Sequence, residues 1–166
     1  MTWISHKLIT FSVVFALSNN FFFSLISAMG AIIPDYLEGK GFLSLNHDAR
    51  QSWKKYHRTY THWFIPYLIV FLLSVLILKE NPATIHPLKD SSLFSCLPTE
   101  RPMFWLLSAL SVGAILHIIQ DAVSGKVPLL NPKIKSFGIR LIPVRSFFEF
   151  IVTTVVSAGF LLWVIK

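Results

Sequence analysis

Apolar residues along the chain fall into long blocks divided by short polar segments. Residues 3–33 are apolar apart from Ser18-Asn19-Asn20, which interrupts the run at its middle. Two arrangements fit. One is a single tilted helix of about 30 residues; the other is a hairpin of two short helices, 3–17 and 21–33, turning at the asparagine pair. Each arm of the hairpin would be only about 21 Å long, short of the ~30 Å hydrocarbon core, so it would dip into the bilayer or thin it. Pro34 is expected to end the second arm, because the residue before a proline is driven out of the helical region.

Residues 36–56 are polar, with a turn signal at Glu38-Gly39-Lys40-Gly41 and a basic surface helix expected around Arg50, Trp53, Lys54, Lys55 and Tyr56. Residues 62–79 and 103–120 predict spanning helices, with a loop over 80–102 punctuated by Pro82, Pro87, Pro98 and Pro102. A Gly/Pro/Lys segment over 124–146 reads as irregular and interfacial, and residues 147–165 predict the last helix. The expected fold is therefore all-α: one membrane-embedded domain over 1–166, with a short N-terminal helical hairpin and three longer spanning helices.

Composition agrees. The chain of 166 residues is 54% hydrophobic and 14% charged, with mean hydropathy +0.61. A soluble domain of this length carries more charge and breaks its apolar runs sooner. The single Cys96 allows no internal disulfide. A net charge of +7 would suggest nucleic acid in a soluble protein. Here it points to a bilayer with anionic head groups, and nucleic acid is not an expected partner.

Charge and polarity also select the topology. With the hairpin, the segments holding His6, Asp35, His57, His62, His117, Asp121 and Glu149 all fall on one side of the membrane. With a single long helix, His6 lies across the bilayer from Asp35. The same parity argues against cleavage of a signal peptide at Ser27-Ala28-Met29-Gly30, which would remove His6. About 11 of the 15 Lys and Arg residues lie on the side with the polar residues and about 4 on the other. That side is expected to be cytoplasmic, with the N-terminus on it and the protein multi-pass in a bacterial inner membrane.

The chemistry concentrates in a few places. His57-Arg58-Thr59-Tyr60-Thr61-His62-Trp63 gathers polar groups at the mouth of a membrane helix. They are an interfacial cap, with Tyr60 and Trp63 in the aromatic belt, or a site. His117 and Asp121 lie four apart, on one helical face, so both can reach a common ion, or can tie two helices together by a hydrogen bond. His57 and His62 are five apart, about 140° of helical rotation, and share a metal only if His57 precedes the helix. Asp35 after Pro34 is a turn former or a ligand. Glu149 complements the dipole of the last helix or serves the site. Imidazoles with carboxylates form a ligand set suited to zinc or another first-row metal. No nucleophile elbow, Walker loop, Rossmann fingerprint or zinc-finger spacing is present.

The order His6, Pro34-Asp35, His57-Arg58-x-x-Thr61-His62, His117-x-x-x-Asp121, Gly125-x-x-Pro128-Leu129-x-x-Pro132 and Glu149 resembles the YdjM-like family of inner-membrane metal-dependent hydrolases. The resemblance spans nearly the whole chain. That family is distantly similar to zinc-dependent phospholipase C and the P1-type nucleases. It implies a metal role for His6, Asp35, His62, His117 and Asp121, and His57 matches the first histidine of the family's His-Arg-x-x-Thr-His block. One position departs: the family's Pro-Asp-x-Asp reads Pro34-Asp35-Tyr36-Leu37 here, with Glu38 one place later. Glu38 or Glu149 would have to substitute for the second acid.

The expected function is metal-dependent hydrolysis of a phosphoester, of a lipid or of a soluble compound. The metal, expected to be zinc from its donor set, would be held by His6, Asp35, His57, His62, His117 and Asp121. Arg58 is expected to clamp the phosphate, with Lys126 a weaker candidate, and Glu149 or Asp35 to act as general base. No organic cofactor is expected. The alternative is a non-enzymatic scaffold or regulatory protein with a structural metal. A transporter would need polar residues at mid-membrane depth, and the last three long helices show few.

Overall fold

The computed structural model describes residues 1–38, 48, 58–79, 101–128, 130–134, 137–144 and 146–165. The basic surface helix expected within 36–56 falls almost wholly outside these residues, as do His57 and the loop over 80–100.

The asparagine pair turns the chain. Helix α1 (Trp3–Ser18) ends at Asn19, whose φ of 49° is left-handed and whose N–H bonds the Phe15 carbonyl. Asn20 then caps helix α2 (Phe21–Gly30), its side-chain oxygen accepting from the Phe23 N–H at 2.9 Å. One asparagine closes a helix and the next opens another, which is the chemistry these side chains favour. Pro34 does not act as expected. The second arm already ends at Gly30, and Pro34 lies in the first turn of a short helix α3 (Ile33–Leu37). Its missing N–H costs nothing there, since first-turn donors have no helical partner.

A 3-10 turn (Tyr60–His62) precedes α4 (Phe64–Lys79), so the helix starts two residues later than the hydropathy pattern predicts. Trp63 is extended and breaks the path between them. Helix α5 (Pro102–Ser124) runs one turn longer than predicted and carries both His117 and Asp121 within it. Helix α6 (Phe147–Ile165) matches its predicted range. Among the described residues the only extended pairing is an isolated bridge between Val127 and Phe137.

Among the described residues two helices, α5 and α6, are long and apolar enough to cross a membrane. Helix α4, at 16 residues, is shorter, about 24 Å, so three full spans are not established. Helix α5 is the centre of the bundle, packed against α4 and α2, while α1 packs on α2 and α6. The α2–α5 crossing is backbone on backbone. A Cβ on Gly113 would run into the Ser27 carbonyl, and one on Gly30 into that of Leu110. Ser24, Ser27, Ala28, Ala31, Ser108 and Ala109 are buried near this crossing. Small residues let helices approach closely where lipid supplies no hydrophobic drive between them.

This crossing sets the height at which α2 delivers Asp35 to α5. Gly113→Ala should therefore lower the thermal midpoint in detergent, by about 1–3 kcal/mol of stability, as overpacking does. Gly159→Ala, where a Cβ meets nothing within 4 Å, should leave the melt unchanged or raised. Equal melts for the two variants would contradict this packing.

Candidate metal site

Four segments meet at one end of the bundle: the start of α1, helix α3, the 3-10 turn, and the last turns of α5. They bring His6, Asp35, His62, His117 and Asp121 together from five places in the sequence. The hairpin is what returns the chain to this end, so that Trp3 Nε1 donates to Asp35 Oδ2 at 2.8 Å.

The inner group is Asp35, His62, His117 and Asp121, each offering one donor atom, all within 4.8 Å of one another. His62 Nε2 lies 3.1 Å from His117 Nε2 and 3.4 Å from both Asp35 Oδ1 and Asp121 Oδ2. His117 Nε2 lies 3.6 Å from Asp35 Oδ1 and 3.7 Å from Asp121 Oδ2. Tetrahedral ligands bonded to zinc at 2.0–2.1 Å stand about 3.3–3.4 Å apart. Five edges of the donor tetrahedron are thus close to that spacing. Asp35 Oδ1 is buried and has no hydrogen-bond partner, which an ion at the centre would supply. The residues present fit a divalent metal.

Electrostatics point the same way for the two donors outside the spanning helices. Burial works against a charge on His62, yet hydrogen bonds to Asp121, Asp35 and Glu38 push its pKa up to about 10. Burial likewise opposes ionisation of Asp35, but the adjacent imidazoles of His117 and His62 hold it well below the usual carboxylate range. Both shifts have one cause: imidazole and carboxylate at this range each favour the charged form of the other.

Around the inner group stands a layer of orienting contacts. Glu38 Oε1 lies 2.9 Å from His62 Nδ1 and accepts from Thr61 Oγ1 at 2.8 Å and the Arg58 N–H at 2.7 Å. A carboxylate on Nδ1 fixes the tautomer that leaves Nε2 free to ligate. Glu38 thus takes a place behind the ligands, and Leu37, at the family's second acid position, is 60% exposed. Arg58 forms an ion pair with Asp121, Nη2 donating to Oδ1 at 2.9 Å and Nε lying 2.8 Å from Oδ2 without hydrogen-bond geometry. Gly125 makes room for it, since a Cβ there would collide with Arg58 Nη1. Arg58 itself takes a left-handed backbone, φ 59°.

His6 borders the group. Its ring stacks 4.0 Å from that of His117, and its Nε2, 3.4 Å from Asp121 Oδ1, has no hydrogen-bond partner. Its Nδ1 lies 3.1 Å from Gln120 Oε1, and Gln120 Nε2 donates to Thr10 at 3.0 Å. Glu149 is buried too, accepting from the Thr2 N–H while its own N–H bonds the capping Ser146 hydroxyl. Lys126 is exposed and outside the cluster. Hydropathy reasoning missed Gln120 and Trp3. A glutamine deep in an apolar helix, beside Asp121, was a legible signal; the bond from Trp3 to Asp35 had none.

The Glu38 contact makes a prediction. Glu38→Gln should weaken metal binding by about 10- to 100-fold, as loss of such orienting groups does, while Leu37→Ala should not. A competitive titration with a chromophoric chelator reads both, and equal affinities for the two variants would remove Glu38 from the site.

Comparison with known proteins adds one match. Neither the curated proteins nor the solved structures contain a match to this chain. The family profile that does match covers residues 1–165, almost the whole length over which the hairpin, the cluster and the spanning helices lie. The chain belongs to the YdjM inner membrane protein family.

Proposed function

We propose that this protein is a membrane-bound, metal-dependent hydrolase of phosphoesters, with its site at the cytoplasmic interface. The observation that carries the reading is the near-tetrahedral spacing of Asp35, His62, His117 and Asp121 at the polar end of an apolar bundle. His6 is a further ligand by its unpartnered Nε2. Zinc suits this donor set. A divalent ion held there supplies Lewis-acid polarisation of a phosphoryl oxygen.

The chain's own residues supply the rest. Arg58 engages Asp121 through Nε and Nη2, which leaves Nη1 to donate to a phosphate oxygen. Asp35, whose side chain is partly exposed, marks the entry side. Glu149, buried beside the start of α1 where it accepts from the Thr2 N–H, is the candidate general base. The excess of basic residues on this side supports a cytoplasmic location, and labelling introduced cysteines at positions 45 and 90 from opposite sides checks it.

A second reading has its own support. Four donors complete a tetrahedron, as in structural sites, whereas catalytic sites keep one position open. Metal content, melting and turnover separate the two. His117→Ala and Asp121→Ala should each lose the metal and lower the thermal midpoint, because the remaining carboxylate is left crowded and buried. Arg58→Ala should retain more metal than either and lose at least tenfold in kcat/KM on bis(p-nitrophenyl) phosphate. Wild-type turnover should vanish with chelator and return with zinc. A fully loaded protein inert toward soluble and lipid phosphoesters alike would leave the structural reading.

A further inference from the structure

Further along the two helices that carry His6 and His117 lies an apolar cavity. On α1, His6, Thr10, Val14 and Leu17 follow one another at helical spacing, and on α5 so do Gln120, Leu116 and Val112. The polar members of the two stripes bond across the seam, His6 to Gln120 and Gln120 to Thr10. One turn further along, Val14 and Leu17 of α1, Leu116 and Val112 of α5, and Leu68 and Phe71 of α4 line a cavity of about 360 Å³. Thr10 lies about 6 Å along α1 from Val14, so the cavity begins directly below the polar contact.

The surroundings select the occupant. Val112 and Leu116 lie inside a helix long and apolar enough to cross a membrane, where the ambient molecule is lipid. Leu17, at the rim, is 72% exposed, so the cavity communicates with the outside of the bundle. At the other end of the same seam stand a cationic guanidinium and a donor set fitted to a divalent ion. Cationic groups above and a hydrocarbon slot below are complementary to one amphiphile with an anionic head.

We propose that this cavity seats a single acyl chain of a lipid whose phosphate head lies at Asp35, His62, His117 and Asp121. The substrate class is then a phosphoester lipid, and Gln120, bridging His6 and Thr10, marks the boundary between head and tail. This assignment rests on the hydrolase reading for its chemistry but not for its binding.

The test uses the full-length, zinc-loaded protein in nanodiscs with a dodecyl phosphate bearing a diazirine at its ω end. Photolysis and peptide mapping should place the label on 112–116 and on Leu68 or Phe71. Excess dodecyl phosphate should suppress it at least tenfold; dodecyltrimethylammonium should not. Leu116→Trp, which fills the slot, should reduce labelling at least tenfold at unchanged metal content. Label confined to the outward residues Phe150, Val155 and Leu162 overturns the proposal, because the chain is then ordinary surrounding lipid. So does labelling that the ammonium competitor suppresses equally. Turnover is scored separately: specific labelling without hydrolysis of any phosphoester retains the lipid site and rejects only the hydrolase reading.

Discussion

The constraint on which the rest depends is the burial of Asp121 in an apolar helix. A carboxylate at this position is costly unless its charge is met on every side. Its two oxygens face the Arg58 guanidinium, both cluster imidazoles and His6. These partners come from three segments, the start of α1, the stretch 58–62 and α5 itself, and local devices deliver them and the remaining donor. The asparagine turn returns α2 and, beyond it, Asp35; Gly113 and Gly30 set the depth of the crossing; Gly125 clears the space for Arg58. The 3-10 turn presents His62 before α4 begins. The fold at this end is a means of neutralising one acid, and the partners that do so include the donors of a metal site.

That arrangement explains why the polar residues lie at one end while the outer faces remain apolar. Helix α6 shows most of its surface outward, but Glu149, Thr153 and Ser157 form a buried stripe toward the interior. Small hydroxyl residues recur in the same way on α1, α2 and α5. They permit close helix contact and bond their own helix carbonyls, as Ser12 and Ser24 do. The bundle is tight at the α2–α5 crossing, whereas between α1, α4 and α5 larger aliphatic side chains leave a cavity.

Much of this was legible in the sequence, for identifiable reasons. Two asparagines inside an apolar run made a hairpin one of two arrangements, and the parity of His6 with Asp35 chose it over a single helix. The convergence of His6, Asp35, His62, His117 and Asp121 followed from parity, since only a hairpin puts them on one side. Pro34 was misread because a proline before an acid fits a helix end as well as a helix start, and only the position of Gly30 decides. The role of Glu38 was not legible, because it depends on the 3-10 turn bringing His62 back over α3. Arg58's grip on Asp121 was hidden likewise, as it requires a left-handed backbone at an arginine.

The central claim is that Asp35, His62, His117 and Asp121 hold one ion among them. X-ray absorption of the zinc-loaded protein tests it most directly. The account predicts a shell of nitrogen and oxygen donors at about 2.0–2.2 Å, with the outer-shell scattering of two or three imidazoles and loss of that signal in His117→Ala. A shell containing sulfur from Cys96, or one without imidazole scattering, would contradict it.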